Sequence, residues 1–259
     1  MSFLDIGDLR AHYALSGPAG APIVVLSNSL GTNFSMWDPQ TPAFEKNLRV
    51  LRYDSRGHGQ SSVTPGPYRI EQLARDVLHI LDRLTLDRVH FCGLSMGGMI
   101  GIWLGVNAPE RLHKLVLCNT AARIGTPEVW NARIDAVNKN GVESVAPAII
   151  ERWFTPAFRA AAPEIVANAQ RMIEASPPDG YSACCAAIRD MDLRENISSV
   201  RVPTLVVCGT KDPVTTLADG QFLVERISGV RLLELPTAHL SNIEAPAQFS
   251  SEVLRFLIA

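Results

Sequence analysis

The sequence predicts an α/β fold: a mostly parallel sheet with helices on both faces and one helical insertion. Three observations predict it. Short β-type apolar runs recur along the 259 residues, and helical spacing fills most of the gaps between them. The alternation then lapses between about residues 123 and 190, where only helical patterns occur. Alternating strands and helices place a parallel sheet between helical layers, and a chain of this length suits one large domain. The expected organisation is a core of residues 1–122 and 191–259, with 123–190 as a cap over one sheet edge.

The β-type runs are residues 9–15, 23–27, 49–53, 89–93, 114–118, 204–209 and 230–235. Each is short and bounded, as buried strands are. The first two or three are closely spaced, which suits antiparallel pairing there. Ile70, Leu73, Val77, Ile80, Leu81 and Leu84 fall at the 3,4 spacing of one buried helix face. From Gly98 an apolar run continues without a breaker to about Asn107, a helix's length. Thr126-Pro127-Glu128 opens the insertion with an N-cap threonine, a first-turn proline and an acid. Trp130, Ile134 and Val137 then share a face, and Pro147, Pro156, Pro163 and Pro177-Pro178 punctuate later pieces. Residues 245–257 close the chain as a helix, with Ser241-Asn242-Ile243-Glu244 expected as its capping box.

Composition narrows the function. Lys and Arg number 24 against 26 Asp and Glu, so the formal net charge is -2. Nothing there attracts nucleic acid or an anionic membrane. The first ten residues carry acids where a signal peptide has its apolar core, and no apolar run approaches a membrane span. Five cysteines is an odd number for a disulfide framework. Cys92, Cys118 and Cys208 sit in apolar runs, and Cys184-Cys185 has no metal-ligand spacing. A reducing, cytoplasmic setting without metal or cofactor is expected.

The chemistry is carried by Gly93-Leu94-Ser95-Met96-Gly97, between a strand-like run and a helix-like one. A serine between two glycines at a strand-to-helix turn has the layout of a nucleophile elbow. The glycines remove collisions with the neighbouring strand and helix, and the helix N-terminus offers a free N–H to developing negative charge. Such a serine needs a base, and the base an orienting acid, in the chain order serine, acid, histidine. Only His113 and His239 follow Ser95. His113 begins a strand, remote from the strand C-termini where ligands bind in open sheets. His239 follows the run 230–235 in a loop at the correct end and is the expected base. Asp212, in Gly209-Thr210-Lys211-Asp212-Pro213 just past a strand, is the expected acid; its bland role is an Asx-type turn. Asp190 and Asp192 are the runners-up. The oxyanion site needs two N–H groups: Met96 supplies one and Leu30 the other, with Ser29 as the adjacent alternative. His58, in the tight turn Asp54-Ser55-Arg56-Gly57-His58-Gly59-Gln60-Ser61, precedes Ser95 and is read as structural.

These pieces together resemble the α/β-hydrolase superfamily across essentially the full chain. The resemblance is closer to the 3-oxoadipate enol-lactonases in Leu26-Ser27-Asn28-Ser29-Leu30-Gly31-Thr32, in Met36-Trp37-Asp38 and in Ala238-His239-Leu240-Ser241-Asn242-Ile243-Glu244. Most superfamily members carry His-Gly where this chain has Asn28-Ser29. The resemblance implies an eight-stranded sheet, no cofactor, a bacterial cytoplasmic setting, and opening of a small anionic enol-lactone in aromatic-compound catabolism. It assigns Ser95 as nucleophile, Asp212 as acid and His239 as base. The substrate carboxylate wants a guanidinium. Arg133, one turn from Trp130 on the insertion's first helix, is the candidate, and Trp153 is expected to add an apolar wall. Arg123, Arg152 and Arg189 are the fallbacks. Rival functions are a general carboxylesterase, a perhydrolase-like enzyme, a C–C hydrolase of ring-fission products, or a small-molecule receptor on the same scaffold. Ser95 argues against the haloalkane dehalogenases, which place Asp at the elbow.

Overall fold

A computed structural model describes residues 2–259. The chain opens with β1 (Ser2–Ile6), β2 (Leu9–Ser16) and β3 (Ile23–Ser27), then α1 (Thr41–Phe44), β4 (Arg49–Tyr53), α2 (Ile70–Arg83) and β5 (Val89–Leu94). Next come α3 (Met96–Asn107) and β6 (Leu112–Cys118). Five helices follow without a strand: α4 (Pro127–Asn140), α5 (Ala146–Trp153), α6 (Pro156–Ala161), α7 (Pro163–Glu174) and α8 (Pro178–Asp190). The chain then returns to the sheet with β7 (Thr204–Gly209), α9 (Leu217–Arg226) and β8 (Arg231–Leu235), and ends in α10 (Ser241–Glu244) and α11 (Pro246–Ile258).

The eight strands form one sheet in the order β1-β2-β4-β3-β5-β6-β7-β8. The pairs β1–β2 and β2–β4 are antiparallel, and every pair from β4 to β8 is parallel. Strand β1 was not evident in the sequence. Its burial runs exposed-exposed-intermediate-exposed-buried, so Phe3 and Leu4 give no clean alternation. The inner strands β5 and β7 are buried along their whole length, as a parallel sheet covered on both faces requires. Helix α2 is amphipathic and buries Ile70, Leu73, Val77, Ile80 and Leu81. Helix α3 is buried nearly all round, which matches its unbroken apolar sequence.

Each insertion helix starts with proline in its first turn, where the missing N–H costs nothing. The expected start of α4 holds, with Thr126 at the N-cap, Pro127 in the first turn and Glu128 as its acid, although the Thr126 hydroxyl makes no capping bond. One capping expectation is corrected. Ser241-Asn242-Ile243-Glu244 is no capping box; it is the separate short helix α10, and α11 begins afresh at Pro246. The Ser241 hydroxyl instead donates to Asn119 Oδ1 at 2.5 Å. The Glu244 carboxylate instead accepts the Ala238 N–H at 2.9 Å and the Thr155 N–H at 3.3 Å. All five cysteines are free and buried. No helix among the described residues is long and apolar enough to cross a membrane.

Candidate active site

Strand β3 lies between β4 and β5, so the loops after β3 and β5 meet where the strand order reverses. Open α/β sheets bind ligands at such a point, outside the strand C-termini. Ser95 sits there, between β5 and α3, with φ 57° and ψ -115°. The strained backbone is held from both sides. Ser95 N–H donates to the Cys118 carbonyl at 2.9 Å, and the Thr120 hydroxyl donates to the Ser95 carbonyl at 2.8 Å. A Cβ on Gly93 would stand 2.1 Å from the Gly97 carbonyl oxygen, and one on Gly97 would stand 2.2 Å from that of Ser27. Neither approach tolerates a side chain, so the flanking glycines are steric requirements.

Asp212 and His239 extend from the loops after β7 and β8. His239 Nδ1 lies 2.8 Å from Asp212 Oδ2, and both residues are buried. The same Oδ2 accepts from the Thr215 hydroxyl at 2.7 Å and from Asn119 Nδ2 at 3.0 Å. Asp212 Oδ1 accepts the N–H groups of Val214 and Thr215 at 2.8 and 3.2 Å. One oxygen makes the Asx-type turn and the other bonds the imidazole. Burial alone would raise the carboxyl pKa. The His239 charge and the bonds from His239, Asn119 and Thr215 outweigh it and hold the group below its ordinary value. Asp190 and Asp192 are instead paired with Arg189 and Arg194 on the surface.

Ser95 and His239 open into one cavity of about 210 Å³, also lined by Leu30, Trp130, Arg133, Arg152, Trp153 and Tyr181. Ser95 Oγ makes no hydrogen bond among the described residues; serine–histidine contacts are commonly loose without substrate. In the loop after β3, Ser29 N–H is engaged by Met36 Sδ at 3.3 Å and Gly31 N–H by His58 Nε2 at 2.9 Å. Neither Leu30 N–H nor Met96 N–H meets an acceptor among the described residues.

Helices α4, α5 and α8 form one wall of the cavity. The Arg133 guanidinium stacks over Trp130, 4.9 Å from the ring centroid, and the indole N–H donates to the Ile124 carbonyl at 2.7 Å. Arg152 is on the same wall, and its pKa is lowered by burial and then by the Arg133 charge. Neither arginine forms an ion pair among the described residues, whereas Arg123 reaches Asp192 and Arg189 reaches Asp190. Two adjacent cations facing a cavity without a carboxylate suit an anionic ligand. Among the described residues no three His, Cys, Asp or Glu side chains are grouped to hold a metal ion.

Sequence reasoning missed Asn119, Thr215 and Tyr181. Asn119 is the most informative. With φ 42° it binds Asp212, the Ala238 carbonyl at 3.2 Å and Ser241, tying together the loops after β6, β7 and β8. Its place just beyond a strand was the available signal. The three segments carrying the enol-lactonase resemblance also converge. Trp37 Nε1 donates to Asn28 Oδ1 at 3.0 Å, and Asn242 Nδ2 to the Met36 carbonyl at 2.9 Å.

Known proteins resemble this chain along nearly its whole length. The alpha/beta hydrolase fold family matches residues 22–246. The chain is 44% identical to 3-oxoadipate enol-lactonase 2 of Acinetobacter baylyi over 250 residues, covering 96% of this chain and 94% of that protein. It is 40% identical to 3-oxoadipate enol-lactonase 1 of the same organism, covering 91% and 88%. The crystal structure of the enol-lactonase from Burkholderia xenovorans superposes with a TM-score of 0.98 at 43% identity, covering both chains fully. On its sequence, its sheet and these matches, the chain belongs to the α/β-hydrolase family.

Proposed function

We propose that this protein is a serine hydrolase that opens 3-oxoadipate enol-lactone to 3-oxoadipate through an acyl-enzyme. The observation that carries the reading is the cavity itself. It joins Ser95 and His239 at its floor to two arginines without acidic partners on its wall. Its volume of about 210 Å³ suits a small ring, and the two enol-lactonase relatives named above match nearly the whole chain.

In this reading neutral His239 takes the Ser95 proton through Nε2 as Oγ attacks the lactone carbonyl. Asp212 holds the Nδ1–H and stabilises the imidazolium that forms. The Leu30 and Met96 N–H groups receive the oxyanion. Collapse of the tetrahedral intermediate breaks the ring C–O bond and expels an enolate, which stays tethered to the acyl group. The enolate takes the proton from His239 and tautomerises to the ketone. His239 then activates water, which cleaves the acyl–Oγ bond and releases the dicarboxylate. Arg133 holds the substrate carboxylate away from the triad, with Arg152 beside it and Trp130 and Trp153 as apolar walls. The reading needs no metal or cofactor and puts the enzyme in the bacterial cytoplasm.

Turnover of a panel tests it. The panel is the enol-lactone, a neutral lactone of similar size, short aryl esters and a vinylogous 1,5-diketone acid of the ring-fission type. The enol-lactone is expected to give the highest kcat/KM, unaffected by a chelator. Esters turned over well with the enol-lactone untouched would make the protein a general carboxylesterase; preference for the diketone would make it a C–C hydrolase.

A further inference from the structure

His58 is completely buried and belongs to a motif that the proposed mechanism leaves unused. Its turn is rigid for reasons of its own. Arg56 pairs with Asp76 through two bonds of 2.9 and 2.7 Å, and Asp54 accepts from His12, from Phe34 N–H and from Gln60 N–H. From this base His58 Nε2 accepts the Gly31 N–H at 2.9 Å. A nitrogen that accepts carries no proton, so the proton is on Nδ1, which faces the Arg56 carbonyl at 3.4 Å. Burial agrees, lowering the His58 pKa to about 4 and keeping the ring neutral.

The bond acts on a turn with two possible forms. Thr32 N–H donates to the Ser29 carbonyl at 3.3 Å, which makes Leu30 and Gly31 the two central residues of a four-residue turn. Gly31 has φ +76°, the left-handed conformation that a type II turn demands at its second central position. Types I and II differ by a flip of the peptide between those residues, whose N–H is that of Gly31. An acceptor fixed beneath that N–H selects one form and pins the turn at the residue after the Ser29–Leu30 peptide, which carries the Leu30 N–H and which the flip itself does not turn. The donor on the preceding residue, Leu30, lies between two engaged neighbours: Ser29 N–H on Met36 Sδ and Gly31 N–H on His58 Nε2. Leu30 N–H is left over, and it is the group assigned to the oxyanion.

We propose that His58 is a positioning residue of the oxyanion site: by accepting the Gly31 N–H it anchors the 29–32 turn and so holds the adjoining Ser29–Leu30 peptide, whose N–H is that of Leu30, in place for the tetrahedral intermediate. The inference rests on the serine-hydrolase reading of Ser95. Misplacing a catalytic group by about 1 Å can cost 10²-fold, and removing an oxyanion donor about 10²–10³-fold. Losing only the support of a donor is therefore expected to cost roughly 10- to 100-fold.

The test compares His58→Leu, His58→Asn and His58→Gln. Leucine fills space without an acceptor. Asparagine keeps a donor near the Arg56 carbonyl but falls short of Gly31. Glutamine reaches the Nε2 position with an acceptor oxygen. Each is measured for kcat and KM on the enol-lactone and for affinity toward an alkyl boronic acid, which adds to Ser95 Oγ and places an anionic oxygen in the oxyanion site. Leucine and asparagine are expected to lower kcat roughly 10- to 100-fold and weaken boronate binding by a similar factor, with KM little changed. Glutamine is expected to recover most of both. Unchanged boronate affinity in the leucine and asparagine variants, or glutamine no better than leucine, overturns the proposal. If the unsubstituted enzyme itself fails to bind boronate and to turn over the lactone, the serine-hydrolase reading falls and this inference with it. Nitrogen NMR of the unsubstituted protein gives a result independent of variant folding. A proton on Nδ1 is expected, and a proton on Nε2 rules out the bond to Gly31.

Discussion

Asn119 Nδ2 donates to Asp212 Oδ2 at 3.0 Å, the same oxygen that lies 2.8 Å from His239 Nδ1. The other oxygen, Oδ1, accepts the N–H groups of Val214 and Thr215, so both oxygens of the carboxylate accept, whereas a carboxamide has only one accepting oxygen. In Asp212→Asn the two backbone N–H groups hold the amide oxygen, which leaves the NH₂ facing His239 Nδ1 and drives the imidazole to the wrong tautomer. The expected loss in kcat is about 10⁴-fold, with the fold intact. Asp192→Asn serves as the control, because Asp192 is bonded to Arg194 on the surface, and is expected to remain near wild type. A greater loss in the Asp192 variant moves the role of the acid.

Charge at the cavity wall gives a second prediction. Arg133→Ala removes a guanidinium that stacks on Trp130 and has no acidic partner among the described residues. A charge-assisted bond contributes about 1.5–3 kcal/mol. The variant is expected to lose roughly ten- to a hundredfold in kcat/KM on the anionic lactone, and much less on a neutral lactone. Equal losses on both would make Arg133 a support of α4. No loss on either passes the role to Arg152, which lines the same cavity.

A third prediction concerns acid. Burial lowers His58 from an ordinary 6.5 to about 4. The unfolded chain thus takes up a proton at a pH where the folded one still refuses it, so stability falls as pH drops from about 6.5 to about 4 and levels off below. The full difference is about 3 kcal/mol for a ring this deeply buried. Denaturant unfolding at about pH 7 and about pH 4.5 is expected to show a smaller drop for His58→Gln than for wild type, by about 2 kcal/mol. Equal drops would mean that His58 titrates in the folded state as it does in the unfolded chain.

Most of the sheet was legible because buried parallel strands are apolar throughout: residues 89–93 and 204–209 need no partner to be recognised. Strand β1 was not, since an edge strand with one buried residue carries almost no periodic signal. The elbow was legible from its glycines because the close approach of β3 and α3 admits nothing larger. The misread element was Ser241-Asn242-Ile243-Glu244. Its spacing is that of a capping box, yet Asn119 claims the serine, and Ala238 and Thr155 claim the glutamate. Those partners are distant or non-helical, and local spacing carries no trace of them. Chain order places His58 before Ser95 and so outside the triad, and nothing local gives it another partner. Its contact with Gly31 spans 27 residues and joins two loops that only the folded sheet brings together.

The most direct measurement of the central claim is the mass of the protein during turnover, paired with kcat of Ser95→Ala. Mixing with 3-oxoadipate enol-lactone and quenching early is expected to add one lactone mass to the peptide holding Ser95. Ser95→Ala is expected to lose several orders of magnitude in kcat, on the order of 10⁴ to 10⁶, without loss of folding. Turnover in Ser95→Ala within tenfold of wild type, or wild type that leaves this lactone unopened while Ser95 stays unmodified, contradicts the account.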